Sequence, residues 1–408
     1  MKCGLLGRVL GHSYSPKIHS YFSDYSYDLI EKEPEELKEF LQNGDFRGLN
    51  VTMPYKKEVI KYLDTLSPVA EKLGAVNTIV RNADGTLCGH NTDYFGFQTM
   101  LQKSGLEFSE KKCLVLGTGG ASSTVVHVLR ELGAVVIVIS RTGVYNYQNI
   151  ELHKDAAVIV NATPVGMYPN NGQSPVNLDH FPALEGVLDL IYNPARTKLL
   201  LEAEARGIVA MNGLLMLVAQ AKEAAEWFSG HPISDKMIDR VHHELRHQVE
   251  NIILIGMPGC GKSTLGALLA DKLGKKFVDA DAAIAEISGK SIPDIFAQDG
   301  EPAFRSLETH VLSKLCKQSG MIIATGGGCV TKEDNFLLLH QNGTIFWITR
   351  DLNQLPTTGR PLSMANSLES IFNARRPFYE RWADVIIPND STLESVCQRL
   401  TEAWEALS

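Results

Sequence analysis

Three times along the chain a short apolar run leads into a glycine loop and then toward a segment of helical periodicity. Leu114–Leu116 runs into GTGGASS, Ile252–Ile255 into GMPGCGKST, and Met321–Ala324 into TGGG. Apolar strands alternating with helical segments predict an α/β protein, with mostly parallel strands buried on both faces. Two glycine loops of different chemistry, roughly 140 residues apart, predict two nucleotide-binding units. The seam is expected near His247–Glu250. Before it, Asp235–Gln248 carries Met237, Ile238, Val241 and Leu245 at helical spacing, with Ser234 and Asp235 available as caps; after it, NIILIG opens a fresh buried strand. No Gly/Ser-rich or Pro-rich linker lies between, which predicts close-coupled halves. No fixed-period repeat or low-complexity tract interrupts the pattern.

Composition narrows this picture. A chain of 408 residues predicts two or three domains, and 44% hydrophobic with 21% charged residues excludes a disordered, collagen-like or coiled-coil chain. Net charge is −8, from 39 Lys+Arg against 47 Asp+Glu, so no global basic field invites nucleic acid. Anionic ligands need only local basic groups. The seven cysteines (3, 88, 113, 260, 316, 329, 397) never form C-x-x-C, which fits neither a disulfide framework nor a four-ligand zinc site. MKCGLLGRVLGHS is a poor signal peptide, and runs such as Ala156–Val160 fall far short of the ~20 residues of a membrane span. The expected location is cytoplasmic, with no membrane partner. A homo-oligomer is compatible with the sequence.

Gly256-Met-Pro-Gly259-Cys-Gly261-Lys262-Ser263-Thr264 fits G-x-x-x-x-G-K-[ST] between an apolar strand and the helical run TLGALLADKL. Glycines let successive N–H groups curl around phosphates, the helix N-terminus adds positive potential, Lys262 can reach the β/γ oxygens, and Ser263 is placed for Mg²⁺. Cys260 reads as a small filler. The next strand, expected over Lys276–Asp281, ends in Asp279-Ala-Asp281. Two carboxylates at i, i+2 on a strand face one way, one for metal-bound water and one for an acceptor hydroxyl. Their plainer reading is a solvated strand end or a helix cap. Phe304-Arg305 with Glu308, Gly326–Gly328, Arg360-Pro-Leu and Arg375-Arg-Pro-Phe-Tyr379 follow, and several arginines near strand ends suit an anionic acceptor.

Over essentially all of Asn251–Ser408 this unit resembles shikimate kinase, through GMPGCGKST, DAD, GEPAFRSLE, ATGGG, RPL and ARRPFY in order. The resemblance implies ATP and Mg²⁺ at Gly259, Gly261, Lys262, Ser263 and Thr264, with Asp279 near the metal. It implies that Asp281 binds the shikimate hydroxyls and acts as base. Arg305 and Arg375 would grip the carboxylate, Glu308 would steady Arg305, Gly327 and Gly328 would line the ring, and Arg360 would approach the transferring phosphate from a lid. The lid segment LNQLPTTGR is about four residues short of the family pattern. It also lacks the arginine that stacks on adenine. Weaker adenine packing or a less complete closure is expected, with chemistry retained.

Leu114-Val-Leu-Gly117-Thr-Gly119-Gly120-Ala121 precedes a helical run and a second strand, Ala134–Ile139. Its first two glycines permit a tight turn and close approach of a pyrophosphate. It departs from G-x-G-x-x-G, and an ordinary βα turn is the plainer reading. After the second strand stands Ser140-Arg141-Thr142, where an NAD site would place an acid; a guanidinium there can pair with a 2′-phosphate, favouring NADP(H). Ser13, Ser15, Asn50, Thr52, Lys56, Asn77, Thr78, Asn91, Thr92 and Asp93 gather hydroxyls, amides, an ammonium and a carboxylate within eighty positions. Such groups suit a polyhydroxylated ring, and a Lys/Asp pair suits proton transfer at a carbonyl.

Over about Met1–His247 the chain resembles shikimate dehydrogenase, through GHSYSPKIHS, NVTMPYK, GAVNT, GHNTD, GTGGA, NATPVGM, DLIYNP and GLLMLVAQA. The resemblance implies Lys56 and Asp93 as catalytic pair. Ser13, Ser15, Thr52, Asn77, Tyr192 and Gln220 would hold substrate, and Gly213 and Met216 would sit by the nicotinamide. It implies a discontinuous α/β substrate domain (residues 1–92 and 213–247) around a Rossmann-like NADP domain (93–212), followed by a P-loop kinase domain with a parallel sheet flanked by helices (251–408). Tyr145 stands near the place of a second basic residue, and Gly143–Lys154 is short, so NADP preference is expected but relaxed.

Together the halves imply consecutive reactions: NADPH-dependent reduction of 3-dehydroshikimate, then ATP-dependent phosphorylation of shikimate. A silent, ligand-sensing half would lack catalytic groups, and all are present. Quinate as substrate of the first half stays open, since an extra hydroxyl is a matter of pocket shape.

Overall fold

The computed structural model describes residues 1–11, 13–355 and 367–407. Its contacts divide into two compact units, one of Met1–Tyr192 with Thr197–Leu245 and one of Asn193–Arg196 with Arg246–Ser408.

The first unit holds two sheets. One contains β1 (Lys2–Gly7), β2 (Ser26–Glu31), β3 (Gly48–Val51), β4 (Thr65–Leu66), β5 (Thr78–Arg81) and β6 (Leu87–His90), in the order β2-β1-β3-β5-β6-β4. It is mixed: β1 runs parallel to β2 and β3, but β5 is antiparallel to both β3 and β6. The cause is local. Asn82-Ala-Asp-Gly85 closes a hairpin, with Gly85 at φ +89° and its N–H donating to the Asn82 carbonyl at 3.0 Å, the conformation an Asp-Gly pair favours. Short helices α1 (Ser15–His19), α2 (Leu37–Asn43) and α3 (Pro68–Leu73) surround this sheet. Leu6, Leu37, Leu41, Leu49, Tyr55 and Ile79 fill its core.

The second sheet is all parallel: β7 (Lys112–Leu116), β8 (Val135–Ile139), β9 (Val158–Asn161), β10 (Gly186–Asp189) and β11 (Val209–Met211), in the order β11-β10-β9-β7-β8. Successive side chains take opposite faces. Cys113, Val115, Val158 and Val160 join one core, and Leu114, Leu116, Ile159 and Val187 the other. Helices α4 (Asp93–Ser104), α5 (Gly120–Glu131), α6 (Lys198–Glu204), α7 (Leu214–Ser229) and α8 (Lys236–Val249) complete the unit's helical elements, the unit boundary falling inside α8. Between β8 and β9 the chain makes only a 3₁₀ turn, Ile150–His153, as the short Gly143–Lys154 stretch predicts.

The second unit has one parallel sheet: β12 (Asn251–Ile255), β13 (Lys276–Asp279), β14 (Met321–Ala324), β15 (Gly343–Thr349) and β16 (Val385–Pro388), in the order β13-β14-β12-β15-β16. Central β12 is buried at every position, which is why Ile252–Ile255 reads as an unbroken apolar run. Flanking it are α9 (Lys262–Leu273), α10 (Ala280–Ser288), α11 (Ile292–Gln298), α12 (Gly300–Leu315), α13 (Asp334–His340) and the helices Leu368–Trp382 and Leu393–Ala406. Asp279 is in register with Ala324, and Ala324 with Leu254. The loops after β12, β13 and β14 therefore emerge together at the carboxyl edge, where ligands of open α/β sheets bind. One expectation is corrected here: β13 stops at Asp279, and Asp281 belongs to the first turn of α10. Asp279 ends the strand because its Oδ1 caps that helix, accepting from the Asp281 and Ala282 N–H groups.

All seven cysteines are free and six are buried. Among the described residues no helix is long and apolar enough to cross a membrane.

Candidate active sites

In the first unit Lys56 and Asp93 meet at 2.6 Å, with side chains 17% and 12% exposed. Lys56 lies in the turn after β3, its carbonyl accepting from the Val76 N–H at 2.7 Å. Asp93 opens α4, where the positive helix end favours a carboxylate. Asn77 holds that carboxylate: its amide donates to Asp93 Oδ1 at 2.9 Å and Thr92 Oγ1 at 3.1 Å, and its oxygen accepts the Thr92 N–H at 2.7 Å. Asn77 thus serves the pair as much as the cavity. Gly96, one turn along α4, lets α7 approach; a Cβ there would lie 2.7 Å from the Met216 carbonyl.

These residues line a cavity of about 390 Å³ together with Ser13, Ser15, Thr52, Tyr192, Gln220, Gly213, Met216, Gly120 and Ala121. Every residue expected to hold substrate in this half is therefore brought to one place. Ser13 Oγ accepts the Ser15 N–H at 3.2 Å, and Gln220 Oε1 accepts the Thr92 hydroxyl at 3.4 Å. Tyr192 packs 5.6 Å from Tyr14, ring to ring, and burial raises its phenol pKa. Gly120 and Ala121, expected at the cofactor, face this cavity. Val9, Leu10, Met53, Leu190 and Leu217 also line it; sequence reasoning missed them because lone apolar residues carry no motif. Asn50, read among the polar groups, is set from behind: Tyr27 donates to it at 2.8 Å and it donates to Thr78 at 3.1 Å.

A second cavity of this unit, about 680 Å³, is lined by Gly117, Thr118, Gly119, Ser140, Arg141 and Tyr147, and by Ala162–Val165, Ser174 and Pro175. Leu116 is in register with Ile139 and Asn161, so the loops after β7, β8 and β9 share one edge. Gly117 has φ +101°, and a Cβ there would press on Thr163 at 2.8 Å; a Cβ on Gly119 would meet nothing within 4 Å. Arg141 is exposed. Thr142 does not line the groove among the described residues, and Tyr145 packs edge-on against His153 at 4.6 Å. The wall Thr163–Val165, within NATPVGM, and Tyr147 were not singled out as binding residues.

In the second unit a cavity of about 300 Å³ gathers Gly259, Lys262, Ser263, Asp279, Asp281, Arg305, Gly327, Gly328 and Arg375. Lys262 opens α9 and folds back, its ammonium donating to the Gly256 and Met257 carbonyls at 2.9 and 3.1 Å. Ser263 donates to Asp279 Oδ2. Arg305 donates to Glu308 at 2.8 Å, and Glu308 is fully buried, which raises its carboxyl pKa. Arg375 donates to the Gly327 carbonyl at 3.1 Å. The glycines make room chiefly for protein atoms. A Cβ on Gly328 would lie 2.1 Å from Arg305 Nη2, and one on Gly327 2.5 Å from Pro258. Gly261 and Thr264 do not line the cavity among the described residues; Gly261, at φ +105°, packs against Asn389, whose amide donates to the Cys260 carbonyl at 2.8 Å. Cys260 is fully buried. Ile292, Pro293, Phe296 and Phe304 form an apolar wall, of which only Phe304 falls within a sequence motif, GEPAFRSLE. Arg360 and most of the lid segment lie outside the described residues.

Comparison with known proteins gives the same division. A family model described as shikimate dehydrogenase substrate binding domain matches residues 5–79, and one described as shikimate kinase matches residues 258–405. The chain is similar to the shikimate dehydrogenase (NADP(+)) of Clostridium perfringens (strain SM101 / Type A), 34% identical over 265 residues, covering 60% of this chain and 97% of that protein. It is similar to the solved chorismate mutase/shikimate 5-dehydrogenase fusion protein from Clostridium acetobutylicum, with 38% identity, TM-score 0.57, and 60% and 96% of the two chains covered. It is also similar to the shikimate 5-dehydrogenase from Thermus thermophilus in complex with NADP(H) and shikimate, with 32% identity, TM-score 0.53, and 60% and 99% covered. The Lys56–Asp93 cavity and the P-loop cavity thus fall in regions matched by different families: the chain belongs to the shikimate dehydrogenase family over its N-terminal 60% and carries a shikimate kinase domain after it.

Proposed function

We propose that one polypeptide carries out two consecutive reactions, NADPH-dependent reduction of 3-dehydroshikimate and ATP-dependent phosphorylation of the shikimate formed. In this reading residues 1–92 and 213–247 form the substrate-binding and catalytic domain of the dehydrogenase, 93–212 its Rossmann-like NADP domain, and 251–408 the kinase. The observation that carries it is the Lys56–Asp93 pair at 2.6 Å within a cavity lined by the hydroxyls and amides of Ser13, Ser15, Thr52, Asn77 and Gln220. Those groups match a polyhydroxylated ring; the ammonium matches a carbonyl oxygen gaining charge.

The residues present fit the cofactors. At Gly119 the cradle has open space where a side chain would stand, ahead of the N–H groups that open the twelve-residue α5, the arrangement a pyrophosphate needs. NADPH, when bound, supplies the hydride. Gly117, Gly119, Ser140 and Arg141 would hold it, with Gly213 and Met216 at the nicotinamide end. Lys56 donates its proton to the substrate oxygen as that oxygen becomes an alkoxide. Asp93, fixed by Asn77, keeps the ammonium aimed. In the kinase, Ser263 and Asp279 offer the hard oxygen donors Mg²⁺ prefers, few protein ligands being typical of it. ATP with Mg²⁺ supplies the phosphoryl group. Arg305 and Arg375 neutralise the acceptor's carboxylate, Asp281 orients and deprotonates its hydroxyl, and Lys262 turns from the loop carbonyls to phosphate oxygens. Seven free cysteines suit work in the reducing cytoplasm.

The test uses the full chain with NADPH plus 3-dehydroshikimate, and separately with ATP, Mg²⁺ and shikimate. Lys56→Ala removes only the reduction, by at least about 100-fold, and Lys262→Ala only the phosphorylation. Loss of both activities from either change contradicts two independent sites.

A further inference from the structure

Between the two cavities of the first unit lies a buried polar cluster whose residues line neither of them. Asn161 ends β9, Asp189 ends β10, and Thr197 caps α6; all three are 0% exposed. Asp189 has no ion-pair partner among the described residues. Its Oδ1 accepts the Asn161 amide at 3.0 Å and the Ile191 N–H at 3.0 Å, and its Oδ2 accepts the Thr197 hydroxyl at 2.7 Å. Burial without a cation pushes this carboxyl up to about 6.

Two loops hang from this one side chain. On one side Asn161 Oδ1 accepts the Thr163 N–H at 3.0 Å and its hydroxyl at 2.7 Å, and Thr163 Oγ1 accepts the Val165 N–H at 3.2 Å. That segment, Ala162–Val165, walls the cofactor groove. On the other side the Ile191 bond fixes the turn carrying Leu190 and Tyr192, which line the substrate cavity. Leu190 N–H reaches back to the Asn161 carbonyl at 3.0 Å, and Gly213 N–H donates to the Ile191 carbonyl at 3.0 Å. Gly213 fits only because it has no side chain; a Cβ would lie 2.2 Å from the Leu190 carbonyl oxygen. The carboxylate thus joins the ends of adjacent strands in the plane where both ligands would meet.

We propose that Asp189 is a shared positioning residue of the dehydrogenase, setting the cofactor wall Thr163–Val165 and the substrate wall Leu190–Tyr192 through a single buried hub. This rests on the dehydrogenase reading above. If Asp189 serves both walls, loosening it weakens both ligands together while the Lys56–Asp93 chemistry proceeds.

The experiment measures KM for NADP⁺ and for shikimate, with kcat, in the oxidation direction on the full chain carrying Asp189→Ala, Asp189→Asn or Thr197→Val. Asp189→Ala should raise both KM values roughly ten-fold, with kcat changed less than about three-fold. Asp189→Asn, which keeps an acceptor for Asn161 and Ile191, should restore both in parallel. Thr197→Val removes one bond and should raise both about three-fold, giving a second reading if Asp189→Ala does not fold. A rise in only one KM, no rise in either, or a fall in kcat alone overturns the proposal. Failure of the wild-type chain to oxidise shikimate with NADP⁺ sinks the dehydrogenase reading instead.

Discussion

Glu308→Ala isolates the energetic cost of the kinase cavity's buried charge. Glu308 has no exposed surface, and its partner Arg305, at 2.8 Å, is 12% exposed. Removing one partner of a buried ion pair costs about 3–5 kcal/mol. Three features reduce that figure here. Glu301, half-exposed, also holds Arg305 at 3.1 Å; the guanidinium borders a cavity; and Glu308 Oε1 is buried with no hydrogen-bond partner. A loss of about 2–3 kcal/mol is expected for the kinase unit, with about half of it for Glu308→Gln. Of the chain's four tryptophans, Trp347, Trp382 and Trp404 lie in this unit and Trp227 in the other. Urea unfolding of the full chain followed by tryptophan fluorescence therefore reports mainly the kinase, while retained NADPH oxidation reports the dehydrogenase. A shift below about 0.5 kcal/mol, or an equal loss of dehydrogenase activity at the same urea concentration, would refute the reasoning.

Glu223 on α7 has a buried, unpartnered Oε2, and burial pushes its carboxyl up to about 7. A folded value above the unfolded ~4.3 means the native state holds the proton more tightly, so stability falls as pH rises from about 4 to 7 and levels off above. Glu223→Gln should therefore stabilise the dehydrogenase unit at pH 8 by on the order of 2 kcal/mol, and by less than half of that at pH 5. Thermal inactivation at the two pH values checks this; an equal gain at both speaks against it. Arg141→Ala should lower the NADP/NAD ratio of kcat/KM by about 10- to 100-fold, the contribution of one charge-assisted contact to an exposed phosphate. An unchanged ratio removes Arg141 from the 2′-phosphate site.

Much of the fold was legible because parallel, doubly buried strands write themselves as apolar runs. Ile252–Ile255 and Leu114–Leu116 carry their own burial, and the glycine loops after them mark the carboxyl edges. The antiparallel β5 was not anticipated, although Asn82-Ala-Asp-Gly85 is a hairpin signal; it sits among polar residues that drew attention as chemistry. Asp281 was assigned to a strand because alternation looks alike to a cap and to a strand end, and the cap was decided by where the Asp279 side chain found its N–H partners. The charged and polar residues that line the cavities are visible because their types are rare together. The apolar wall Ile292–Phe296 and the hub at Asp189 were not, since a Phe on an amphipathic helix and an Asp after a strand have many plainer uses, and only tertiary contacts separate them.

The reversal at Asn82–Gly85 has a consequence for where catalysis can happen. Because β5 runs against β3 and β6, its first residue stands level with the ends of both: Asn50 faces Thr78, and Thr78 faces His90. Had the chain crossed over there and returned in the same sense, the end of β6 and Asp93 beyond it would sit at the far rim, roughly 10 Å from the Lys56 ammonium and the Asn77 amide they now meet. A four-residue turn at the opposite edge of the sheet thereby decides whether the carboxylate that follows β6 comes within reach of Lys56 and Asn77.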